Sequence, residues 1–251
     1  MVALKSSSGI NRGIALLLAG ERVHAMTCGA LWWEEPGVLV VSDLHFEKGS
    51  SYAARGQMLP PYDTRETLAR VGRLMTALSP RTVISLGDSF HDRRARPRMA
   101  PDDVSSLRGM TGSCDWVWIE GNHDPKPPED LGGRAAVEIT IGPLTFRHIP
   151  SAGAVVGEVA GHLHPCARVV GRSGRSVRKR CFATDGARLV MPAYGALTGG
   201  LNVLDEAFAP VFPKDLFAGV IGRDGVYLAG RDNLAPDGMR QAVLDPARRR
   251  A

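Results

Sequence analysis

The sequence predicts an α/β fold built as a single domain. Two observations support this prediction. Short apolar segments of strand length run directly into polar turns along the chain, and a helical pattern fills the interval between two of them. Of the 251 residues, 44% are hydrophobic and 23% are charged, which is a globular composition. We assign the domain to residues 13–231, between a flexible leader over 1–12 and a polar, basic tail over 232–251.

The first elements are short strands. The apolar segments Ile14–Leu18, Val23–Met26 and Leu31–Trp33 are separated by Gly20 and Gly29. This pattern is typical of an antiparallel meander. The Ser- and Gly-containing residues before it have no apolar period, which predicts the flexible leader.

Helices are predicted between the later strands. Asp63 and Glu66 have the spacing of a capping box, and apolar residues then recur at helical intervals until Pro80. These apolar residues are Leu68, Val71, Leu74, Met75 and Leu78. A second helix, poorer in apolar residues, is predicted over 101–110.

Five later strands end in turns rich in Asp, His and Asn. Their polar residues are Asp43, His45, Asp88, Asn122, His123, Asp124, His148, His162 and His164. Because ligand sites of open α/β sheets form at the carboxyl ends of strands, we expect these turns to converge on one pocket.

The residue types in these turns indicate a catalytic site for two divalent cations. Carboxylate, imidazole and amide groups suit ions such as Mn²⁺, whereas structural zinc sites favour thiolates, which the turns lack. Asp88 follows Gly87 and is placed to bridge both ions. The predicted ligands are Asp43, His45, Asp88, Asn122, His148, His162 and His164. Mn²⁺ is our first choice, with iron, zinc and other ions as alternatives.

His123 is predicted to be catalytic. It lies between Asn122 and Asp124, and we expect its ring to face the substrate. Asp124 would accept a hydrogen bond from one ring nitrogen, so that His123 could protonate the leaving oxygen.

The order of these motifs resembles that of the calcineurin-like metallophosphoesterases. That pattern runs D-x-H, G-D-x-x-D, G-N-H-D/E, a lone H and G-H-x-H, and this chain carries all five elements over residues 42–164. The resemblance implies a four-layer α-β-β-α sandwich. It also implies one ion held by Asp43, His45, Asp88 and His164, and a second ion held by Asp88, Asn122, His148 and His162.

One position departs from the family pattern. His91 stands where the second Asp of G-D-x-x-D is expected, and Asp92 follows it. Gly87–His91 is similar to the G-D-L-F-H variant of recombination nucleases of the Mre-eleven type, in which that His lies near the substrate phosphate. By analogy His91 contacts phosphate; the alternative is a hydrogen-bonding role behind the ligands.

Longer segments are similar to the bacterial DNA-ligase-associated metallophosphoesterases. These segments are Phe46–Tyr52, Leu59–Glu66, Trp116–Asp124, His164–Arg168 and Pro192–Asn202. The resemblance implies DNA as substrate and a repair setting that includes a DNA ligase, a helicase and an exonuclease.

Several cations are candidate substrate contacts. The formal net charge of +5 suits an anionic partner such as DNA. Arg168 begins a basic hairpin over residues 168–180, and Lys48, Arg55 and Arg93 closely follow metal motifs. The alternative is that these cations only cover the surface.

The leading hypothesis is a metal-dependent DNA phosphodiesterase, an endonuclease of ligase-associated repair. A small-molecule phosphatase or nucleotide phosphodiesterase is one alternative, because the same ions serve both; a non-catalytic scaffold for repair partners is another. No apolar stretch approaches the ~18 residues of a membrane span, so we expect a cytoplasmic protein without a membrane partner. The four cysteines form no C-x-x-C pair and predict buried thiols.

Overall fold

The computed structural model describes residues 13–57, 59, 62–171 and 175–238. The predicted leader (1–12) lies outside these residues, as do residues 239–251 of the predicted tail and residues 172–174 of the predicted hairpin.

The first sheet contains, within the described residues, seven strands in chain order. They are β1 (Gly13–Leu18), β2 (Glu21–Met26), β3 (Leu31–Trp33), β4 (Val38–Val41), β5 (Thr82–Leu86), β6 (Asp115–Ile119) and β7 (Arg134–Ala136). Strands β1 to β4 form the predicted antiparallel meander, and β4 to β7 are parallel.

The second sheet contains ten strands in the part of the chain that is described. They are β8 (Glu138–Ile141), β9 (Leu144–Arg147), β10 (Glu158–Ala160), β11 (Pro165–Val170), β12 (Ser176–Thr184), β13 (Leu189–Val190), β14 (Leu201–Asn202), β15 (Phe217–Ile221), β16 (Val226–Gly230) and β17 (Leu234–Ala235). Strand β10 runs parallel to β9 and β13, and β11 pairs antiparallel with β12 and β17.

Helices cover the outer face of the first sheet. They are α1 (Lys48–Ala53), α2 (Asp63–Leu78), α3 (Ala95–Arg98) and α4 (Pro101–Thr111), with short 3₁₀ turns at Glu129–Leu131, Glu206–Phe208 and Arg231–Asn233. Both predicted helices are present, as α2 and α4. The predicted capping box is wrong, because Asp63 is the first helical residue and its carboxylate accepts a hydrogen bond from the Gly49 amide at 3.1 Å. No described helix is long and apolar enough to span a bilayer.

Three buried clusters define the layers. Leu39 and Val41 of β4 pack with α2 and α4, whereas Val38 and Val40 of the same strand pack against the second sheet. This alternation explains why all four residues of β4 are buried. Trp116 and Trp118 lie in the helix-side cluster, as core residues.

The third cluster lies on the outer face of the second sheet. There Phe208 and Phe212 pack against β12 and β15. The sandwich predicted from the family resemblance is confirmed. In the described residues, however, the layer outside the second sheet is not an α-helix but the irregular segment 203–216, which contains one 3₁₀ turn.

The strand ends position the predicted site. Strands β4, β5 and β6 are parallel, and their carboxyl ends lead to Asp43, Asp88 and Asn122. In the second sheet, the parallel strands β9 and β10 lead to His148 and His162.

Candidate metal centre

Three groups of ligand-type side chains lie at this meeting of strand ends, and the third, His45, His91 and His123, shares His45 with the first. Asp43, His45 and His164 form the first group. Asp88, His148 and His162 form the second, and within each group the ligand atoms lie within 4.8 Å of one another. All six residues of the first two groups were predicted as ligands from the sequence.

The first group is closely spaced. His164 Nε2 lies 3.0 Å from Asp43 Oδ1 and 3.4 Å from His45 Nε2. Asp43 is fully buried, and Ser42, which the sequence reasoning missed, donates a hydrogen bond to its other carboxylate oxygen. The hydroxyl holds the Asp43 carboxylate with Oδ1 directed at the two imidazoles.

The second group has an oriented central imidazole. His148 Nδ1 lies 2.9 Å from the carbonyl oxygen of Leu86, so the protonated Nδ1 donates to that oxygen and Nε2 faces the cluster. His148 Nε2 then lies 3.0 Å from Asn122 Oδ1, 3.4 Å from Asp88 Oδ2 and 3.3 Å from His162 Nδ1. Asn122, the seventh predicted ligand, is therefore part of this group.

Asp88 connects the second group to the first. Its carboxylate approaches His148, while its carbonyl oxygen accepts a hydrogen bond from the His45 amide at 2.9 Å. Gly87 before it makes this approach possible, because a Cβ there would lie 2.4 Å from the His148 ring.

The backbone is strained at the ligands. Positive φ angles occur at Asp43 (52°), His45 (46°), Asp88 (45°), His162 (68°) and His164 (46°). Left-handed backbone costs non-glycine residues about 1–3 kcal/mol each and persists where the surroundings enforce it, often at functional sites.

The donor set fits divalent cations. Asp43 Oδ1 and His45 Nδ1 are buried and have no hydrogen-bond partner. Burial lowers the pKa of His45 to about 3, so this imidazole is neutral, as a ligand must be. Burial opposes ionisation of Asp43, but the His164 imidazole, 3.0 Å from Oδ1, and the nearby His148 hold its pKa below the usual value.

His123 is not paired with Asp124, contrary to the sequence prediction. His123 Nδ1 lies 2.9 Å from the carbonyl oxygen of His91, and Nε2 lies 3.9 Å from Asp88 Oδ2. Asp124 is buried and accepts a hydrogen bond from the Phe90 amide at 3.0 Å. Asp124 therefore fixes the turn that carries His91, and the His91 carbonyl orients His123.

His91, rather than Asp92, faces the cluster. Its ring stacks on His123 with centroids 5.6 Å apart, lies 5.7 Å from the His45 ring, and its Nδ1 has no hydrogen-bond partner. Asp92 turns away and binds Arg98 and Ser51, at 2.9 and 2.8 Å. The side chain of Asp92 therefore links α3, through Arg98, to α1, through Ser51.

The four predicted substrate cations are not equivalent. Burial is the main reason that the pKa of His91 falls to about 4, and the positive charges of Lys48 and Arg55 lower it further. Both cations therefore lie near the His91 ring. Arg93 lines a separate cavity of about 380 Å³ beside Asp92 and Asp124. Arg168 points elsewhere, since its Nε lies 3.3 Å from Asp237 Oδ1.

The sequence profile of the calcineurin-like phosphoesterases matches residues 37–182, more than half of the chain. The chain belongs to this family. The calcineurin-like phosphoesterases use a dinuclear metal site, so the protein is a metal-dependent phosphoester hydrolase, and it has groups of Asp and His side chains that could bind metal.

Two solved structures are similar to this phosphoesterase. The nuclease MPE from Pseudomonas putida is 29% identical, with a TM-score of 0.65, over 86% of this chain and 98% of that chain. The phosphoesterase Yfce from E. coli is 16% identical, with a TM-score of 0.37, over 76% of this chain and 97% of that chain. No curated protein sequence matches.

Proposed function

We propose that this phosphoesterase is a two-metal phosphodiesterase that cleaves DNA. The observation that carries the proposal is that the two ligand groups adjoin, with His148 Nδ1 3.9 Å from Asp43 Oδ1, and that His123 Nε2 lies 3.9 Å from Asp88 Oδ2. His123 is 43% exposed, so a substrate can reach it.

We assign ions to the ligand groups as the family resemblance implies. One set is Asp43, His45, Asp88 and His164, and the other is Asp88, Asn122, His148 and His162. Mn²⁺ is the ion we propose, because the set mixes carboxylate, imidazole and amide donors without thiolate. Two such ions, when bound, activate a water molecule and neutralise charge on the phosphate.

The remaining residues act on the substrate. His123, oriented by the His91 carbonyl, donates the Nε2 proton to the leaving oxygen. His91, Lys48 and Arg55 contact the phosphate oxygens and stabilise their developing charge.

Three observations support DNA over a small ester. The net charge is +5, His91 replaces the usual Asp, and the similar protein from P. putida is named as a nuclease. The resemblance to ligase-associated enzymes supports a repair setting with a ligase, a helicase and an exonuclease.

The test is hydrolysis by the purified protein with Mn²⁺. End-labelled single- and double-stranded DNA is compared with chromogenic monoesters and diesters, and bound metal is counted by mass spectrometry. We expect DNA and diester cleavage with about two ions per chain. Asp88→Asn should remove both activity and metal, while Asp102→Asn, at an exposed carboxylate on α4, should retain them.

The other outcomes identify the alternatives. Turnover of monoesters or nucleotides without DNA cleavage would indicate a small-molecule enzyme. Inactivity on every substrate, together with binding to a ligase, would indicate a scaffold. Full activity of folded Asp88→Asn protein would contradict the site assignment.

A further inference from the structure

A basic groove lies next to the metal centre. Two cavities of about 470 and 490 Å³ share Arg180 and Thr198 in their walls and therefore adjoin. We call this surface the basic groove and define it by Arg70, Arg178, Lys179, Arg180, Thr198 and Arg223. Arg178 is paired with Asp237, 3.1 Å away, but Glu66 is the one carboxylate in the described lining, so positive charge still predominates.

Two of the groove arginines have no acidic partner among the described residues. Arg70 donates to the Cys28 carbonyl at 3.2 Å and stacks on the Tyr194 ring at 4.3 Å, and Arg180 donates to the Ala193 carbonyl at 2.8 Å. Neither forms a salt bridge with a described residue. Burial and the nearby charge of Arg70 lower the pKa of Arg180. Two partly buried guanidinium groups thus repel each other until an anion lies between them.

The walls of the groove are attached to the metal ligands. Cys166, in the groove wall, is two residues beyond His164 on β11. The loop over residues 195–201 completes the wall, and its Leu201 amide donates to the His164 carbonyl at 3.1 Å. The Gly195 amide donates to the Asp43 carbonyl at 3.2 Å. A chain of phosphates leaving the metal centre past His164 would enter this groove.

We propose that the basic groove binds the phosphates of a nucleic-acid strand on the His164 side of the scissile phosphate. The inference rests on the proposed function and extends it to substrate length. Lys48 and Arg55 lie near His91, whose ring is 5.7 Å from that of His45, so a second cationic surface borders the same metal centre. A lone phosphate would leave most of the groove empty, whereas a polynucleotide supplies one negative charge per residue.

Binding is tested without cleavage, in the Asp88→Asn background, by fluorescence anisotropy with a single-stranded oligonucleotide. We expect Arg70→Gln/Arg180→Gln to raise the Kd about tenfold or more. The slope of log Kd against log salt concentration should fall by about 0.7 for each phosphate that the variant no longer neutralises. Arg223→Glu should also raise the Kd, and it changes an exposed rim residue, so packing is not disturbed. Lys214→Glu makes the same charge change at an exposed residue outside the groove and should match the parent.

Cleavage then separates the two proposals. In otherwise wild-type protein, kcat/KM should rise with oligonucleotide length, and Arg70→Gln/Arg180→Gln should reduce that rise about tenfold. Unchanged Kd and salt dependence in both groove variants would contradict the proposal that the groove binds a nucleic-acid strand. Competition by polyglutamate as strong as that by DNA would contradict it too. Groove-dependent binding by a wild-type protein that cuts no DNA would support the groove and overturn the proposed function.

Discussion

His123 is oriented by an uncharged acceptor, the carbonyl oxygen of His91, at 2.9 Å from Nδ1. A carbonyl that accepts from Nδ1 fixes the tautomer and the ring direction. The ring is therefore held with Nε2 towards Asp88, 3.9 Å from its Oδ2.

Replacement of His123 should slow cleavage in a manner that depends on the leaving group. We expect His123→Ala to lower kcat on DNA about 10²–10³-fold, because the departing sugar oxygen needs a proton. A p-nitrophenyl diester, whose leaving group needs little protonation, should be affected much less. Metal content, measured by mass spectrometry, should remain that of the wild type.

Asp124→Asn is the control, because an amide oxygen can still accept the Phe90 hydrogen bond. It should keep the wild-type ratio of DNA to p-nitrophenyl activity. Equal losses on both substrates in His123→Ala would count against the proton-donor role.

At the level of residues, the motifs predicted which side chains converge but not how each one is oriented. Asp43, Asp88 and His148 were identified because their residue types follow strand ends. The Asp124 pairing failed because neighbours in a turn need not point the same way, and Asp124 instead faces Phe90. The Leu86 carbonyl that orients His148 is a backbone group without a sequence signal.

At the level of elements, a buried ion pair holds the segment that follows His148. Arg188 is fully buried, lies 3.6 Å from Glu158 and donates to the carbonyl oxygens of Ser151 and Gly153, both at 2.6 Å. Glu158 also accepts the Ser151 amide at 3.0 Å. Glu158 of β10 and Arg188, just before β13, thereby fix the path of the chain after β9.

Arg188→Met should destabilise the fold by about 3–5 kcal/mol, because it removes the fully buried guanidinium group beside the buried Glu158 carboxylate. The free energy of unfolding is measured by urea denaturation. Arg134→Met is the matched control: it breaks an exposed pair with Asp115 and should cost less than about 1 kcal/mol. A destabilisation below about 1 kcal/mol for Arg188→Met would show that Arg147, 3.7 Å from Glu158, suffices.

Elements with a strong period were predictable, and irregular ones were not. Helix α2 was predicted from the spacing of Leu68, Val71 and Leu74, which pack on the first sheet. The segment 203–216 has no such period and was not predicted. Its apolar residues pack on the second sheet without forming an α-helix.

At the level of the whole molecule, the site joins the two sheets. Asp43, Asp88 and Asn122 follow strands of the first sheet, whereas His148 and His162 follow strands of the second. An ion bound by such a set stabilises the native arrangement of both sheets over the unfolded chain.

Metal removal should therefore lower the Tm. Ions present at about 100 times their Kd stabilise the fold by about 2.7 kcal/mol per site, and each kcal/mol corresponds to about 2–4 °C for a protein of this size. Scanning calorimetry with Mn²⁺ and with a chelator measures the shift. In Asp88→Asn protein, the Tm difference between the two buffers should be much smaller. An identical Tm of the wild-type protein in both buffers would contradict metal binding at these residues.

The left-handed backbone at the ligands also limits how this protein can be engineered. Glycine would adopt the φ angles of Asp43, His45, Asp88, His162 and His164 without strain. A stability-guided redesign that scores backbone preference alone would thus erase the reactive centre while improving the scaffold, a form of stability–activity trade-off. These five positions have to be held fixed in any thermostabilised version.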